Sequence, residues 1–128
     1  MNRKQTVTII GKLPTMNEMI SDARIHWSKS AKVKREATEL VSMQCNRLKL
    51  IEAPCTVSFH WYYSGKEDFD NISGGGRKHV LDGLQEAGKL MNDNQKWVIG
   101  FGQELFTKVP KGQDKVTVTL TYIEGDNA

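Results

Sequence analysis

The sequence contains no apolar run approaching the roughly 20 residues that a membrane span needs. Its first five residues, Met1 to Gln5, are polar, and no apolar segment follows them to form a secretory signal. Both absences predict a protein that is neither secreted nor embedded in a membrane, and therefore a cytoplasmic one. Cysteine is scarce: only Cys45 and Cys55 occur, without the spacing of metal ligands. Two reduced, partly buried thiols in a reducing compartment are the expectation. No internal repeat and no low-complexity segment is present. With 128 residues, 38% of them hydrophobic, the chain holds enough apolar material for one core and too little for two, so residues 1–128 read as a single domain.

Net charge is low, +3, but unevenly spread. Residues 1–49 carry ten Lys or Arg against four Asp or Glu, whereas residues 50–128 carry eight against eleven. Such asymmetry suits a chain that grips a polyanion with one half and holds cations with the other; a solvated basic helix gives the same pattern.

Periodicity places the elements. Residues 5–10 alternate, with Val7 and Ile9 on one side, and read as a strand that stops at Gly11. Residues 13–22, with Pro14 and Asn17, read as a loop. Val33, Ala37, Leu40, Val41 and Leu48 keep helical spacing over residues 28–49, with Ser28 as the expected N-cap. Residues 56–63 alternate, with Val57, Phe59, Trp61 and Tyr63 facing one way. Residues 64–76 are polar and glycine-rich, and Gly74-Gly75-Gly76 reads as a flexible linker because no Gly-Lys-Ser/Thr follows to make a phosphate loop. Val80, Leu81, Leu84 and Ala87 then mark a second helix over residues 77–87, stopped by Gly88. Asn92-Asp93-Asn94 reads as a turn, and residues 97–109 and 115–123 as two final strands. The order β-α-β-α-β-β predicts an α+β (mixed α/β) fold, a two-layer domain with a four-stranded mixed sheet and two helices on one face.

Chemistry enters at Asp68-Phe69-Asp70-Asn71. In an extended strand end, residues two apart point the same way, so Asp68 and Asp70 would present two carboxylates together. Two close carboxylates repel unless a cation lies between them, and hard oxygen donors without His or Cys favour Mg²⁺, with Mn²⁺ as the substitute. The competing reading is an acidic turn before a helix, with Asp70 or Asn71 as a cap. The segment is no EF-hand, because no Glu closes a twelve-residue loop. A second feature is the crowding of Lys29, Lys32, Lys34 and Arg35 at the start of the long helix, where the helix dipole disfavours each positive charge by roughly 0.3–1 kcal/mol. DNA phosphates docking there would reverse that cost, and a solvated face partnered by Glu36 and Glu39 is the alternative. His26, His60 and His79 are scattered and read as surface or packed residues. Trp61 and Trp97 read as core, with Trp97 close enough to Asp93 to stack on an unpaired base.

The order Asp68-x-Asp70-Asn71, then Lys78, then Asp82-Gly83-Leu84-Gln85-Glu86-Ala87-Gly88, then Asn92-Asp93 before an aromatic-led strand, resembles the RusA Holliday-junction resolvases of phages and prophages. Leu13-Pro14 and Asn17 belong to the same match, which is strongest over residues 66–98 and diffuse elsewhere. The resemblance implies a RusA-like fold and a homodimer, acting in a bacterial host cell, that nicks opposed strands of a four-way DNA junction with Mg²⁺. Asp68, Asp70 and Asp93 would be the metal-binding acids, Lys78 the catalytic cation, and Arg77 and Asn17 further DNA contacts. The chain departs from the family where Ile72 to Arg77 separates Asn71 from Lys78, so that Arg77 competes for the role of Lys78. It also carries Asn92 and Glu67 where other charges are usual. Two other classes compete: a branched- or single-stranded-DNA binding protein that does not cleave, and a Ca²⁺ or phosphate-ester protein unrelated to DNA.

Overall fold

Alternation at the centre of the chain builds the central strand. Along β2 (Cys55–Tyr63), Cys55, Val57, Phe59 and Trp61 are buried while their neighbours are only half-buried, the period-two pattern of a sheet with one covered face. The computed structural model describes residues 2–25 and 27–123. It places β2 between β4 (Lys115–Ile123), antiparallel to it, and β3 (Val98–Lys108), parallel to it; β1 (Asn2–Ile10) pairs antiparallel with β4. The sheet order is β1-β4-β2-β3. The parallel β2–β3 pair needs a crossover, and the helix between them supplies it.

Three helices cover one face, one more than the sequence reading expects: α1 (Met16–Ile25), α2 (Trp27–Met43) and α3 (Phe69–Glu86). Residues 13–22 are therefore not a loop. The overlooked signal is Thr15-Met16-Asn17-Glu18: the Glu18 N–H donates to Thr15 Oγ1 (3.3 Å), and the Thr15 hydroxyl donates to Glu18 Oε1 (3.1 Å). Thr15 is thus a side-chain N-cap that satisfies one donor of the first helical turn, with Glu18 holding its hydroxyl in place. Ser28 lies inside α2 and is not its cap. The helix ends at Met43, six residues before the expected limit, because the Gln44 amide turns to the edge strand. Its Nε2 donates to the Ile10 carbonyl (2.9 Å), and its Oε1 accepts from the Ile10 N–H (2.8 Å). Cys45 and Leu48 remain buried beyond that end, so the apolar spacing outlasts the helix.

α3 departs furthest from expectation. It starts at Phe69, and the glycine triplet lies inside it instead of forming a linker. A Cβ on Gly75 would stand 2.6 Å from the Pro14 carbonyl oxygen, and one on Gly76 would stand 2.4 Å from the Trp61 ring. Tight packing overrides glycine's roughly 1 kcal/mol helix penalty. Gly83 meets Val41 in the same way, letting α2 lie against α3. At the other end, Gly88 (φ +73°) closes the helix as expected, with the Lys89 N–H donating to the Leu84 carbonyl (2.9 Å).

The core between the layers gathers Ile9, Val57, Phe59, Val116, Val118 and Leu120 from the sheet, and Val41, Val80 and Leu84 from the helices. Each such side chain contributes about 1.5–3 kcal/mol by leaving water. Cys45 and Cys55 are wholly buried and unpaired, and burial pushes the Cys45 thiol up to about 11. The opposite sheet face has no helix on it. It carries hydroxyl pairs, Thr6 with Thr119 and Thr8 with Thr117. No helix among the described residues is long and apolar enough to cross a membrane.

Candidate active site and nucleic-acid interface

The start of α3 organises the acidic motif. Asp68 is its N-cap residue, extended at φ −67° and ψ 154°, and its carbonyl accepts from the Asn71 and Ile72 N–H groups (both 3.1 Å). Its carboxylate makes no capping hydrogen bond. Asp70 lies in the first helical turn, so the two acids straddle a helix start and do not follow a strand end as expected. Both are exposed, and both sit where the helix dipole favours negative charge. Phe69 between them turns the other way, stacked on Phe106 (4.1 Å between centroids, 2° between planes) and edge-on to Tyr63. This aromatic anchor pins the motif to the ends of β2 and β3. Glu67 forms an ion pair with Lys12 (3.6 Å).

Asn71 has a different task from its acidic neighbours. Its Oδ1 accepts from the Asn17 N–H (2.8 Å), an early donor of α1. One helix thus caps another, tying the start of α1 to the first turn of α3. Two turns further along α3, Lys78 donates to Asp93 Oδ2 (3.0 Å) and pairs with Asp82 Oδ1 (3.0 Å). Those hydrogen bonds, to Asp93 first and Asp82 second, push the Lys78 pKa above its ordinary value. Asp93 arrives there because the chain doubles back after Gly88. The Ile51 N–H donates to the Lys89 carbonyl (3.0 Å), Leu90 bridges to Ile51 and is 2% exposed, and Asn92 Oδ1 accepts from the Asn94 N–H (3.2 Å) to form the turn.

The acids therefore form two groups on one helix. Asp68 and Asp70 stand at its start; Lys78, which holds Asp93, lies about 12 Å beyond Asp70 and Asp82 about 18 Å beyond it, at a rise of ~1.5 Å per residue. Among the described residues, no three His, Cys, Asp or Glu side chains assemble into a metal-holding group. Asp68 and Asp70 alone offer two hard carboxylates, a set that fits a cation completing its shell with water and substrate phosphate.

Arg77 takes no part in either group. Its guanidinium forms a double hydrogen bond with Glu104 (Nη2–Oε1 2.6 Å, Nε–Oε2 3.2 Å) and lies 4.3 Å from the centre of the Phe101 ring. Trp61 Nε1 donates to the same carboxylate (2.7 Å). Arg77 thus joins α3 to β3 through Glu104, while Lys78 is the cation beside Asp93.

On α2, Lys29, Lys32, Lys34 and Arg35 are all exposed, and no acid occupies the first turn. The Lys32–Glu36 pair (3.9 Å) is open to solvent and contributes at most about 0.5 kcal/mol. The sequence reading passed over Trp27, which opens this helix with 78% of its surface exposed. Seven residues separate it from Lys34, two helical turns on the same side. Trp97 is half-buried beside Lys96 (5.2 Å to the ring centre), and Trp61 is buried. His60 stacks on Tyr62 and bonds to Thr107 (2.7 Å), and His26 lies outside the described residues. His79 is 3% exposed. No protein-family model matches this chain, and neither does any curated protein sequence.

Proposed function

We propose that this protein is a Mg²⁺-dependent endonuclease of the RusA type, which acts as a homodimer on four-way and other branched DNA in a bacterial host, its gene carried by a phage or prophage. The observation that carries the reading is the exposed Asp68–Asp70 pair at the start of α3, with the Asp68 carboxylate unused as a cap. Asp68 and Asp70 hold the cation, with Asp93 as the third acid. When bound, Mg²⁺ supplies charge neutralisation at a phosphodiester and a water of lowered pKa. The rest of the work belongs to the chain. The free N–H groups of α3 attract a phosphate, Lys78 orients Asp93, and Lys29, Lys32, Lys34 and Arg35 hold the DNA backbone from α2. Trp27 offers a stacking surface among those cations.

One observation favours the second reading, a branched-DNA binder that does not cleave: Asp93 is paired with Lys78 and stands apart from Asp68 and Asp70. A gel assay with four-way junction, fork and linear duplex, each with and without Mg²⁺, separates the two. The nuclease nicks the junction only with Mg²⁺, and Asp70→Asn retains junction binding but loses nicking. A protein that binds the junction and never nicks it in Mg²⁺ is the binder.

A further inference from the structure

Between α1, α2 and the middle of α3 lies a groove of about 380 Å³. Its α1 wall is apolar and thioether-rich: Met16 and Ile20 are 41% and 42% exposed, Met19 lies deeper, and Ala23 leaves the wall low at one end. Gly75 allows the close approach of α1 to α3 that shapes the floor. Cations stand on the other two helices, Lys34 on α2 and Lys78 on α3. Among the described residues that line it, Asp82 is the one acid, and it is paired with Lys78.

Two buried polar groups set this groove apart from a patch of unfilled apolar surface. Ser30 is 6% exposed, and His79 is 3% exposed with its Nε2 lacking any hydrogen-bond partner. An unsatisfied buried nitrogen costs about 1–3 kcal/mol, so it marks a valence that something else completes. The groove is also continuous with the candidate active site, because Lys78 lines the one and holds Asp93 in the other.

We propose that the groove receives one unstacked nucleobase, from the strand whose phosphate lies at the Lys78–Asp93 end; this rests on the branched-DNA reading above. Shape, charge and polarity agree on that occupant. A base is a flat apolar plate that Met16, Met19 and Ile20 can cover, and thioether and branched side chains accommodate ring faces well. The attached backbone is anionic and passes Lys34, the cation of the lining that is not held by Asp82 and Asp93. Ring-edge N–H and carbonyl groups match the hydrogen-bonding capacity of Ser30 and His79. Bases at a branch point have already lost a stacking neighbour, so extruding one there costs less than the few kcal/mol required within a duplex. An apolar peptide would match the α1 wall but would gain nothing from the two cations.

The test uses four-way junctions in which each base flanking the crossover is replaced in turn by 2-aminopurine, whose fluorescence is quenched by stacking with other bases. Protein is added without divalent cation until fluorescence anisotropy shows the junction saturated. One labelled position is expected to brighten several-fold with wild-type protein. Ala23→Phe, which fills the open end of the groove, removes that rise in its own saturated complex; Ile20→Ala, which cannot overfill the site, reduces it. Circular dichroism confirms that both variants are folded. A saturated wild-type complex in which no position brightens assigns the groove to protein side chains and overturns the inference while leaving the branched-DNA reading intact. A rise that survives both substitutions overturns it equally. Failure of the wild-type protein to bind any junction removes the underlying reading as well.

Discussion

Lys78 Nζ lies 3.0 Å from Asp93 Oδ2, although fifteen residues separate them and the chain reverses direction in between. The reversal brings Asp93 back to the middle of α3 and no further. Asp70 is eight residues, about 12 Å, nearer the start of the helix.

We propose that a site using all three acids draws on two chains. Asp70→Asn and Asp93→Asn proteins are each expected to be inactive alone, and their mixture to recover nicking after subunit exchange. With shared sites, a mixed dimer collects both lesions in one site and leaves the other whole. Recovery should appear as single nicks instead of paired cuts, visible on a denaturing gel. A mixture that remains inactive places each site within one chain.

The basic start of α2 should act on all DNA alike. Replacing Lys32 and Arg35 together by Ala is expected to weaken binding to duplex and junction in parallel, reducing the slope of log K against log salt by up to about two units. Titrations at several salt concentrations measure this directly. An unchanged slope returns the helix to a solvated role.

Neighbouring glycines should respond with opposite sign. Gly75→Ala gains about 1 kcal/mol of helix propensity, but its new methyl meets backbone atoms at 2.6–2.7 Å, and overpacking of that kind costs about 1–3 kcal/mol or more. A net loss of about 1–2 kcal/mol is expected in urea denaturation. Gly74→Ala meets only the flexible end of Met16, at 3.3 Å, and is expected to be neutral or stabilising by up to about 1 kcal/mol.

His79 should make stability sensitive to mild acid. Burial lowers its pKa most strongly and Lys34 adds to that, while Asp82 and the Pro14 carbonyl oppose it. The unfolded chain, with histidine near about 6.5, then binds a proton that the folded chain resists. Stability falls as pH drops below that value and levels off once the folded-state pKa is passed, with a slope of at most about 1.4 kcal/mol per pH unit. His79→Gln should flatten this part of the curve relative to wild type, measured as urea midpoints between pH 7.5 and 5.5.

Strands were more legible than helices, and the reason is physical. Alternation such as Val57-Phe59-Trp61 reports burial on one face directly, and β2 and β4 lie where it predicts. The start of α3 was hidden because its glycines serve distant partners, Pro14 and Trp61, that no local pattern reveals. α1 was hidden behind Pro14, although Thr15 was readable as an N-cap with Glu18 three residues on. At the candidate site, the two-residue spacing singled out Asp68 and Asp70, whereas Lys78 and Asp93 joined them only through the family resemblance. Their division into two groups follows from the helix joining them, and the pairing of Arg77 with Glu104 depends on a contact 27 residues away.

The two buried cysteines give the molecule an internal gauge of its own opening. Thiolate is the reactive form, and a Cys45 thiol held at about 11 with no exposed surface is protected twice, by chemistry and by access. Alkylation at neutral pH then proceeds through molecules that have transiently opened the core around the thiol. Its rate counts those openings without any label being introduced, and a ligand that clamps the fold closed lowers the logarithm of that rate in proportion to the clamping energy.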